Sequence, residues 1–163
     1  MVAHDQEWLG RGERQRQVLE VALGSWLLAP VEHIGSTAVP GLPAKPILDL
    51  QAAVADLECT PLIAEVLSSA DWCYVPPEID RRPWRRFFVR VVDGRRVAHL
   101  HVMTLECPRW RDQVIFRDAL RADEKLVERY AALKRTLSAQ HADDREAYSA
   151  AKSDFVRAVL KRP

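Results

Sequence analysis

Cysteine is scarce in this chain. Its 163 residues include three cysteines, Cys59, Cys73 and Cys107, and no two of them form a Cys-x-x-Cys pair. A disulfide framework uses an even set of cysteines, and structural zinc sites use closely spaced ligands, so neither is indicated. The sequence therefore predicts free, buried thiols in a reducing compartment, and we expect a cytoplasmic protein.

A charge bias and long apolar runs are also absent. There are 24 Lys and Arg against 23 Asp and Glu, which gives a net charge of +1. So small a charge gives no whole-molecule attraction to nucleic acid or to a membrane surface. No apolar stretch is long enough to span a bilayer, and no signal peptide or solenoid-length repeat is apparent. We expect one globular domain over residues 1–163, as a monomer or a homodimer.

The chain before residue 108 mixes helical and strand patterns. Residues 12–28 place Val18 and Leu19 on one helical face, and Pro30 ends that helix. A short strand, "VEHI", and a central strand, "KPILDLQAAV", follow, and a second helix over 60–70 opens with Thr60 as its cap. A further short strand, "WCYV", comes next.

A tight hairpin and a helical tail complete the pattern. Asp93-Gly94 separates two runs rich in β-formers, which predicts two strands joined by a two-residue turn. Residues 108–163 lose strand character, and their apolar residues recur at helical spacing. The expected fold is α+β or α/β: a small mixed sheet in residues 1–107, covered by helices, with a C-terminal helical segment over 108–163.

The stretch "HIGSTAVPGLPAKPILDLQ" contains the first candidate site residues. Gly35-Ser36 can present backbone N–H groups and a hydroxyl to a phosphate, or it is an ordinary turn with Ser36 as a helix cap. Asp49 shares one strand face with Gln51 and lies among apolar neighbours. A buried carboxylate needs a cation, a metal or the sheet edge; alternatively, Asp49 caps the next turn from the strand end.

Histidines and arginines form two further groups. His99 and His101 in "HLHV" share a strand face, where they can bind a metal, steady a phosphate, or form a hydrogen-bonded pair with no ligand. "RRPWRR", residues 81–86, is a basic cluster around Trp84 that suits phosphate and base stacking, or else solvates a loop.

The helical tail repeats the spacing Tyr-x-x-x-Lys. Tyr130 and Lys134 form one pair and Tyr148 and Lys152 the other, each one helical turn apart. Such pairs are typical of an amphipathic rim, where lysine stems cover apolar surface. They can also bring an ammonium group to the edge of a cleft.

These motifs together resemble the GrpB family of small bacterial proteins. The resemblance covers nearly the whole chain and includes "HIGSTAVPGL", "AKPILDL", "HLHV", "FRDALR", "YAALK" and "YSAAK". It implies a nucleotidyltransferase-like fold, in which a glycine-serine turn holds a triphosphate and acids on neighbouring strands hold magnesium. In this chain Asp49 matches the first acid, Gln51 stands where the second acid is usual, and histidines occupy the strand of the third.

The resemblance implies roles for the motif residues. Asp49 and His101 are the expected catalytic residues, and Asp49 is the expected metal ligand. Phosphate binding is expected from Gly35, Ser36, Lys45, Arg117, Lys134 and Lys152. His33, Gln51 and His99 are expected as ligands or supporting residues.

The resemblance implies a reaction that uses a nucleotide, with magnesium only weakly held. We expect binding of ATP or another nucleoside triphosphate, and transfer of its nucleotidyl group to a small acceptor or activation of that acceptor. The alternative is a nucleotide- or phospholigand-binding protein without turnover. Magnesium is expected to arrive weakly held on the nucleotide, because one aspartate supplies too little charge for two ions. Ser36, Asp49 and at least one of His99 and His101 are expected to line one cavity.

Overall fold

A five-stranded mixed sheet forms the centre of the molecule. The structure is a computed structural model that describes residues 1–140 and 145–161, with the side chains of 145–149 left outside the description. The strand order is β1-β2-β5-β4-β3, where β2 and β5 are parallel and the other pairs are antiparallel. The strands are β1 Glu32–Ile34, β2 Leu48–Val54, β3 Trp72–Val75, β4 Arg86–Val92 and β5 Arg95–Thr104. The mixed sheet expected from the sequence is confirmed.

Six α-helices accompany the sheet in the described residues. They are α1 Glu7–Leu23, α2 Thr60–Ser68, α3 Pro77–Asp80, α4 Pro108–Ala122, α5 Glu124–Gln140 and α6 Arg145–Leu160. A 3-10 turn over Ser36–Ala38 follows β1. The wholly helical character of the described part of 108–163 matches the sequence pattern, whereas the four-residue α3 has no periodic signal to reveal it. Among the described residues, no helix has the length and apolar character needed to cross a membrane.

The first helix begins and ends earlier than its periodicity predicts. It runs from Glu7 to Leu23 and buries Trp8, Leu19 and Leu23 rather than the face that includes Val18. Val18 is exposed. The helix ends at Leu23, with Gly24 as its C-cap, well before Pro30 is reached. The predicted range of 12–28 was therefore wrong at both ends.

The second helix also begins differently from the prediction. Thr60 does not cap it, because the Thr60 hydroxyl donates to the carbonyl of Leu57 instead. Pro61 does occupy the first turn, where its missing N–H costs nothing.

The two faces of the sheet have different surroundings. Leu48, Leu50, Leu100 and Phe88 point to one face and form the main core. Ala22 of α1 and Ala64 of α2 pack against that core. A second apolar cluster joins the tail helices to the loop after β1, with Val39, Leu42, Leu120, Tyr130 and Val159 as members. The helical tail therefore packs beside the Gly35–Ser36 turn.

The β4–β5 hairpin turns at Asp93-Gly94 as the sequence predicts. Asp93 has φ +50° and Gly94 has φ +70°. Positive φ at both central residues is the mark of the turn type that matches strand twist, and Gly94 adopts it without steric cost. The β4–β5 register shifts between Arg90 and Val91, so that Val89 pairs with His99, while β2 pairs with the other edge of β5 and places Asp49 opposite His99.

Candidate functional site

Asp49, His99 and His101 lie side by side on the second face of the sheet. The parallel pairing of β2 with β5 sets Asp49 opposite His99 and Gln51 opposite His101. His99 Nδ1 lies 3.0 Å from Asp49 Oδ1, and His101 Nε2 lies 3.7 Å from the same oxygen. These three side chains, which we call the Asp49 group, are brought together as the strand patterns predicted.

The two histidines of the Asp49 group are held in opposite tautomers. An Arg85 guanidinium N–H can only donate, so His101 Nδ1 accepts its hydrogen bond and the proton of neutral His101 is on Nε2. The carboxylate of Asp49 accepts from His99, so His99 carries its proton on Nδ1. The remaining nitrogen, His99 Nε2, is buried and has no hydrogen-bond partner among the described residues. His99 is thus the histidine that offers a lone pair.

The charge of Asp49 is stabilised by its neighbours. Burial alone raises the pKa of a carboxyl group, but hydrogen bonds and charge from His101 and His99 outweigh it and leave the pKa of Asp49 well below its usual value. Burial, with the nearby charge of Arg85, lowers the pKa of His101, so that this ring stays neutral. Asp49 is therefore an anion at neutral pH and a weak proton acceptor.

Gly35 brings the turn backbone against the Asp49 carboxylate. A Cβ atom built on Gly35 would lie 2.6 Å from Asp49 Oδ2, closer than any real side chain tolerates. Gly35 also has φ +72°, a conformation that glycine adopts freely. Both observations require glycine at this position. The close approach also shows that the turn lies directly against the Asp49 group.

A buried lysine reaches the same turn from the helical tail. Lys134 of α5 is 3% exposed, and its ammonium donates to Ser36 Oγ over 3.0 Å and to the carbonyl of Pro43. Burial, with the charge of Lys152, lowers the pKa of Lys134 to about 8. Lys152 lies near the same aromatic ring, since its Nζ is 6.0 Å from the Tyr130 centroid and Lys134 Nζ is 5.3 Å from it. Tyr148 of the second Tyr-x-x-x-Lys motif lies outside the described side chains.

Gln51 has a structural reason to be neutral. Its side chain is fully buried, and its Nε2 donates to the carbonyl of Trp110 at the start of α4 over 3.0 Å. A carbonyl only accepts, so this contact requires the amide nitrogen and excludes a carboxylate oxygen. Gln51 Oε1 has no hydrogen-bond partner among the described residues. The position of the usual second acid is therefore used to attach α4 to the sheet.

The basic cluster of residues 81–86 does not form one cationic surface. Arg85 is buried, forms a two-oxygen ion pair with Asp80, and lies over the ring of Phe87 at 4.2 Å. Trp84 has the guanidinium of Arg109 4.7 Å from its ring centroid. The sequence pattern flagged the cluster but not the inward role of Arg85, because nothing local indicates which arginine pairs with Asp80.

Three of the expected site residues, His33, Arg117 and Lys45, make no described contact with the Asp49 group. His33 pairs with Leu50 and so faces the opposite side of the sheet from Asp49. It packs against α1 so closely that a Cβ on Gly12 would lie 2.2 Å from its ring, and it bonds Thr37 Oγ1 at 3.0 Å. Burial, with the charges of Arg121 and Arg117, lowers its pKa to about 4. His33 is a neutral core residue, contrary to the expectation of a ligand.

Arg117 and Lys45 have no described contact with the Asp49 group. Arg117 of α4 donates to the Glu32 carboxylate and to the carbonyl of His33, and it forms an ion pair with Asp118. These contacts hold α4 against the edge strand β1. Lys45 is exposed on the loop before β2. Phosphate binding by these two residues remains a prediction.

The residues present do not form a resident magnesium site. Asp49 is the one acid of the group; its Oδ1 is engaged by the histidines, and Gln51 is committed to Trp110. Among the described residues no set of three or more His, Cys, Asp or Glu is arranged to hold a metal ion. Magnesium prefers several oxygen ligands, so this donor set fits at most an ion whose other ligands come from phosphate.

Two cavities lie near helix α1 and not at the Asp49 group. One of about 310 Å³ lies between α1 and the sheet, with Arg11, Arg14 and Arg90 in its lining. The other, of about 420 Å³, lies between α1 and α4 and includes Glu32, His33 and Arg117. The expectation that Ser36, Asp49 and a histidine line a single cavity is met by neither of these two.

Comparison with known proteins places the chain among bacterial relatives, some of them about twice its length. The family model described as GrpB protein matches residues 1–162. A UPF0157 protein of Streptomyces coelicolor is 38% identical over 98% of this chain and 81% of its own length. The UPF0157 protein YqkA of Bacillus subtilis is 28% identical over 96% of this chain, which spans 45% of that relative. The crystal structure of the conserved protein GrpB from Enterococcus faecalis matches with a TM-score of 0.83 at 27% identity, covering 98% of this chain and 96% of that one.

Proposed function

The chain belongs to the GrpB protein family, and we propose that it binds the phosphate chain of a nucleoside triphosphate at the Gly35–Ser36 turn. The bound nucleotide then gives its nucleotidyl group to a small acceptor or activates that acceptor. Magnesium enters with the nucleotide rather than residing on the protein. No role for nucleic acid or a membrane is proposed.

The observation that carries the proposal is the buried ammonium of Lys134 on Ser36. A lysine that is 3% exposed and has no carboxylate among its described contacts is costly to keep charged, as its lowered pKa reflects. A phosphate at the turn would offset that cost, because it would accept a charge-assisted hydrogen bond from the ammonium group. Lys152, on a separate helix near the same Tyr130 ring, adds positive charge at the same end of the sheet.

In the proposed reaction, His99 is the base that accepts the proton of the acceptor hydroxyl. The acceptor hydroxyl gives its proton to His99 Nε2, its oxygen bonds to the α-phosphorus, and pyrophosphate leaves with the electrons of the broken P–O bond. Asp49 holds His99 in the required tautomer and balances the positive charge that forms on the ring. The sequence-based choice of His101 is less suitable, because Arg85 occupies one of its nitrogens and the other is protonated. His99 Nε2 is buried, so the acceptor reaches it only after the local cover opens.

A second candidate, ligand binding without turnover, is favoured by Gln51. The amide is fixed to Trp110 and leaves Asp49 as the one acid of the group, so the acids that usually hold two magnesium ions are not available. Under this alternative the turn and its lysines bind a nucleotide or another phosphorylated ligand, and no bond is broken.

Calorimetry with ATP and magnesium tests the binding step. Lys134→Met should weaken ATP binding about tenfold or more, because one charge-assisted contact is lost. Lys125→Met, an exposed lysine on the same helix, is the matched control and should bind like the parent. If both variants bind ATP and GTP as the parent does, the phosphate site is not at Ser36.

Release of pyrophosphate then separates the two candidate functions. Small alcohols and amines are supplied as acceptors with the nucleotide that binds. His99→Gln should abolish release while leaving nucleotide affinity nearly unchanged, whereas a protein that only binds releases none in any variant. Release that persists in His99→Gln would contradict the role given to that residue.

A further inference from the structure

Helix α1 presents two different faces to the rest of the molecule. One face buries Trp8, Leu19 and Leu23. The other face has the spacing i, i+3, i+4 and i+7, and its residues Arg11, Arg14, Gln15 and Val18 all line the cavity of about 310 Å³. This cavity, which we call the α1 cavity, lies on the sheet face opposite the Asp49 group, because Leu48 and Ala98 form part of its floor.

An arginine on the core side of the sheet meets that helix face. Arg90 of β4 pairs with Ala98 and so points to the same side as the main apolar core. Its guanidinium is fixed by the carbonyl of Ala70 at 3.2 Å and by Gln15 Oε1 at 3.0 Å. Those two bonds use two of its five N–H groups. Arg90 also lines the cavity, so its guanidinium is held in position there before any ligand arrives.

The charge around the α1 cavity is unbalanced. Arg90 has one acid near it, the largely exposed Asp71, with Oδ2 3.6 Å from the guanidinium. Among the described residues Arg11 and Arg14 have no ion pair. Three arginines with one acid leave about two positive charges, which matches the dianion of a phosphate monoester near neutral pH.

The lining of the cavity also includes apolar side chains. Val18, which is 53% exposed, lines it together with Leu48 and Val97. A cavity of this volume is at the small end of the range for ligand pockets, which combine apolar walls with a few fixed polar groups. A ligand that matches this mixed lining has an anionic end and a compact apolar body.

We propose that the α1 cavity is a second ligand site, which takes a small phosphate monoester with an apolar body. Arg90, Arg11 and Arg14 bind the phosphate, and Val18, Leu48 and Val97 contact the body. The site is separate from the Asp49 group and does not depend on the function proposed for that group. The lining of the α1 cavity contains no acid or histidine, so the cavity is proposed as a binding site and not as a reaction centre.

Calorimetry with phenyl phosphate tests the proposal, since this probe has a phosphate dianion and one small ring. The parent should bind it saturably at low salt. The affinity of the double variant Arg11→Gln/Arg14→Gln should be lower by about tenfold or more. Both arginines lack described hydrogen bonds, so the double variant should keep the parent's unfolding temperature. Lys125→Gln/Arg135→Gln on α5 removes the same charge from exposed positions and should bind like the parent.

Two further measurements locate the probe. Val18→Thr, which changes shape little, should weaken phenyl phosphate binding without changing the affinity for inorganic phosphate. Lys134→Met should leave phenyl phosphate binding intact. The proposal is overturned if the parent shows no saturable binding, if the two double variants lose affinity equally, or if Lys134→Met is the variant that abolishes binding.

Discussion

His99 and Asp49 lie opposite each other in the parallel pairing of β5 with β2, and His99 Nδ1 donates to Asp49 Oδ1 over 3.0 Å. Two residues farther along β5, His101 accepts from Arg85 through the equivalent nitrogen. The same ring nitrogen therefore donates in His99 and accepts in His101, and this difference decides which Nε2 atom is left without a hydrogen bond.

The first prediction concerns these tautomers. In ¹⁵N-edited NMR spectra near neutral pH, His99 should show the pattern of a ring protonated on Nδ1 and His101 that of a ring protonated on Nε2. Arg85→Met should release His101 from this constraint and leave the His99 pattern unchanged. Identical patterns for the two rings in the parent protein would contradict the assignment.

The second prediction uses two glycines with the same backbone conformation. Gly35 has φ +72° and Gly41 has φ +75°, but a Cβ on Gly35 meets Asp49 whereas a Cβ on Gly41 meets nothing within 4 Å. Gly41→Ala should cost about 1 kcal/mol of unfolding free energy from conformational strain alone. Gly35→Ala should cost about 2 kcal/mol more, because Asp49 or the turn must move.

Chemical denaturation of both variants measures this difference. Equal losses would mean that the Gly35 turn shifts freely away from Asp49. In that case the close approach of turn and carboxylate would have no energetic weight.

The third prediction concerns the missing acid. Gln51→Glu introduces the acid that the resemblance to nucleotidyltransferases leads us to expect at this position, yet it should destabilise the protein by about 2–4 kcal/mol, because a buried carboxylate would face the Trp110 carbonyl. Gln140→Glu, at the exposed end of α5, should change stability by less than about 0.5 kcal/mol. A Gln51→Glu variant that is as stable as the parent and binds magnesium tightly would refute the structural role of Gln51.

The fourth prediction concerns acid stability. Because burial lowers the pKa of His33 to about 4 from 6.5, the unfolded chain binds a proton on His33 between these pH values and the folded chain does not. Stability therefore falls as the pH drops from 6.5 to about 4, by up to about 3 kcal/mol from this residue. His33→Gln removes the titration, so its unfolding free energy should change less steeply over that range. Parallel pH profiles for parent and variant would show that His33 is not buried as a neutral ring.

The sequence was sufficient for the elements whose signal is local. The Asp93-Gly94 turn, the apolar run of β2 and the alternation in "HLHV" each carry their own pattern, and together they placed Asp49 beside the histidines. The family resemblance added the expectation that the Gly35–Ser36 turn belongs to the same site.

Local patterns could not supply the individual long-range contacts. The resemblance grouped Lys134 with Ser36, but their direct hydrogen bond across 98 residues is visible only in the structure. Arg85 likewise points inward because Asp80 and His101 accept its hydrogen bonds. His33 was assigned to the site because it belongs to the same motif, but the pairing with β2 puts it on the other face. The register of a three-residue edge strand follows from its neighbours and not from its own side chains.

The fifth prediction, and the most direct test of the phosphate site, is the pH dependence of nucleotide binding. Because burial and the charge of Lys152 lower the pKa of Lys134 to about 8, the free protein loses this positive charge as the pH rises through about 8. ATP affinity, measured by calorimetry between about pH 7 and about pH 9, should fall by about tenfold in the parent. In Lys134→Met it should be low and nearly constant, and in Lys125→Met it should follow the parent. Affinity that is independent of pH in the parent, or that is unchanged in Lys134→Met, would contradict the assignment of the phosphate site to Ser36 and Lys134.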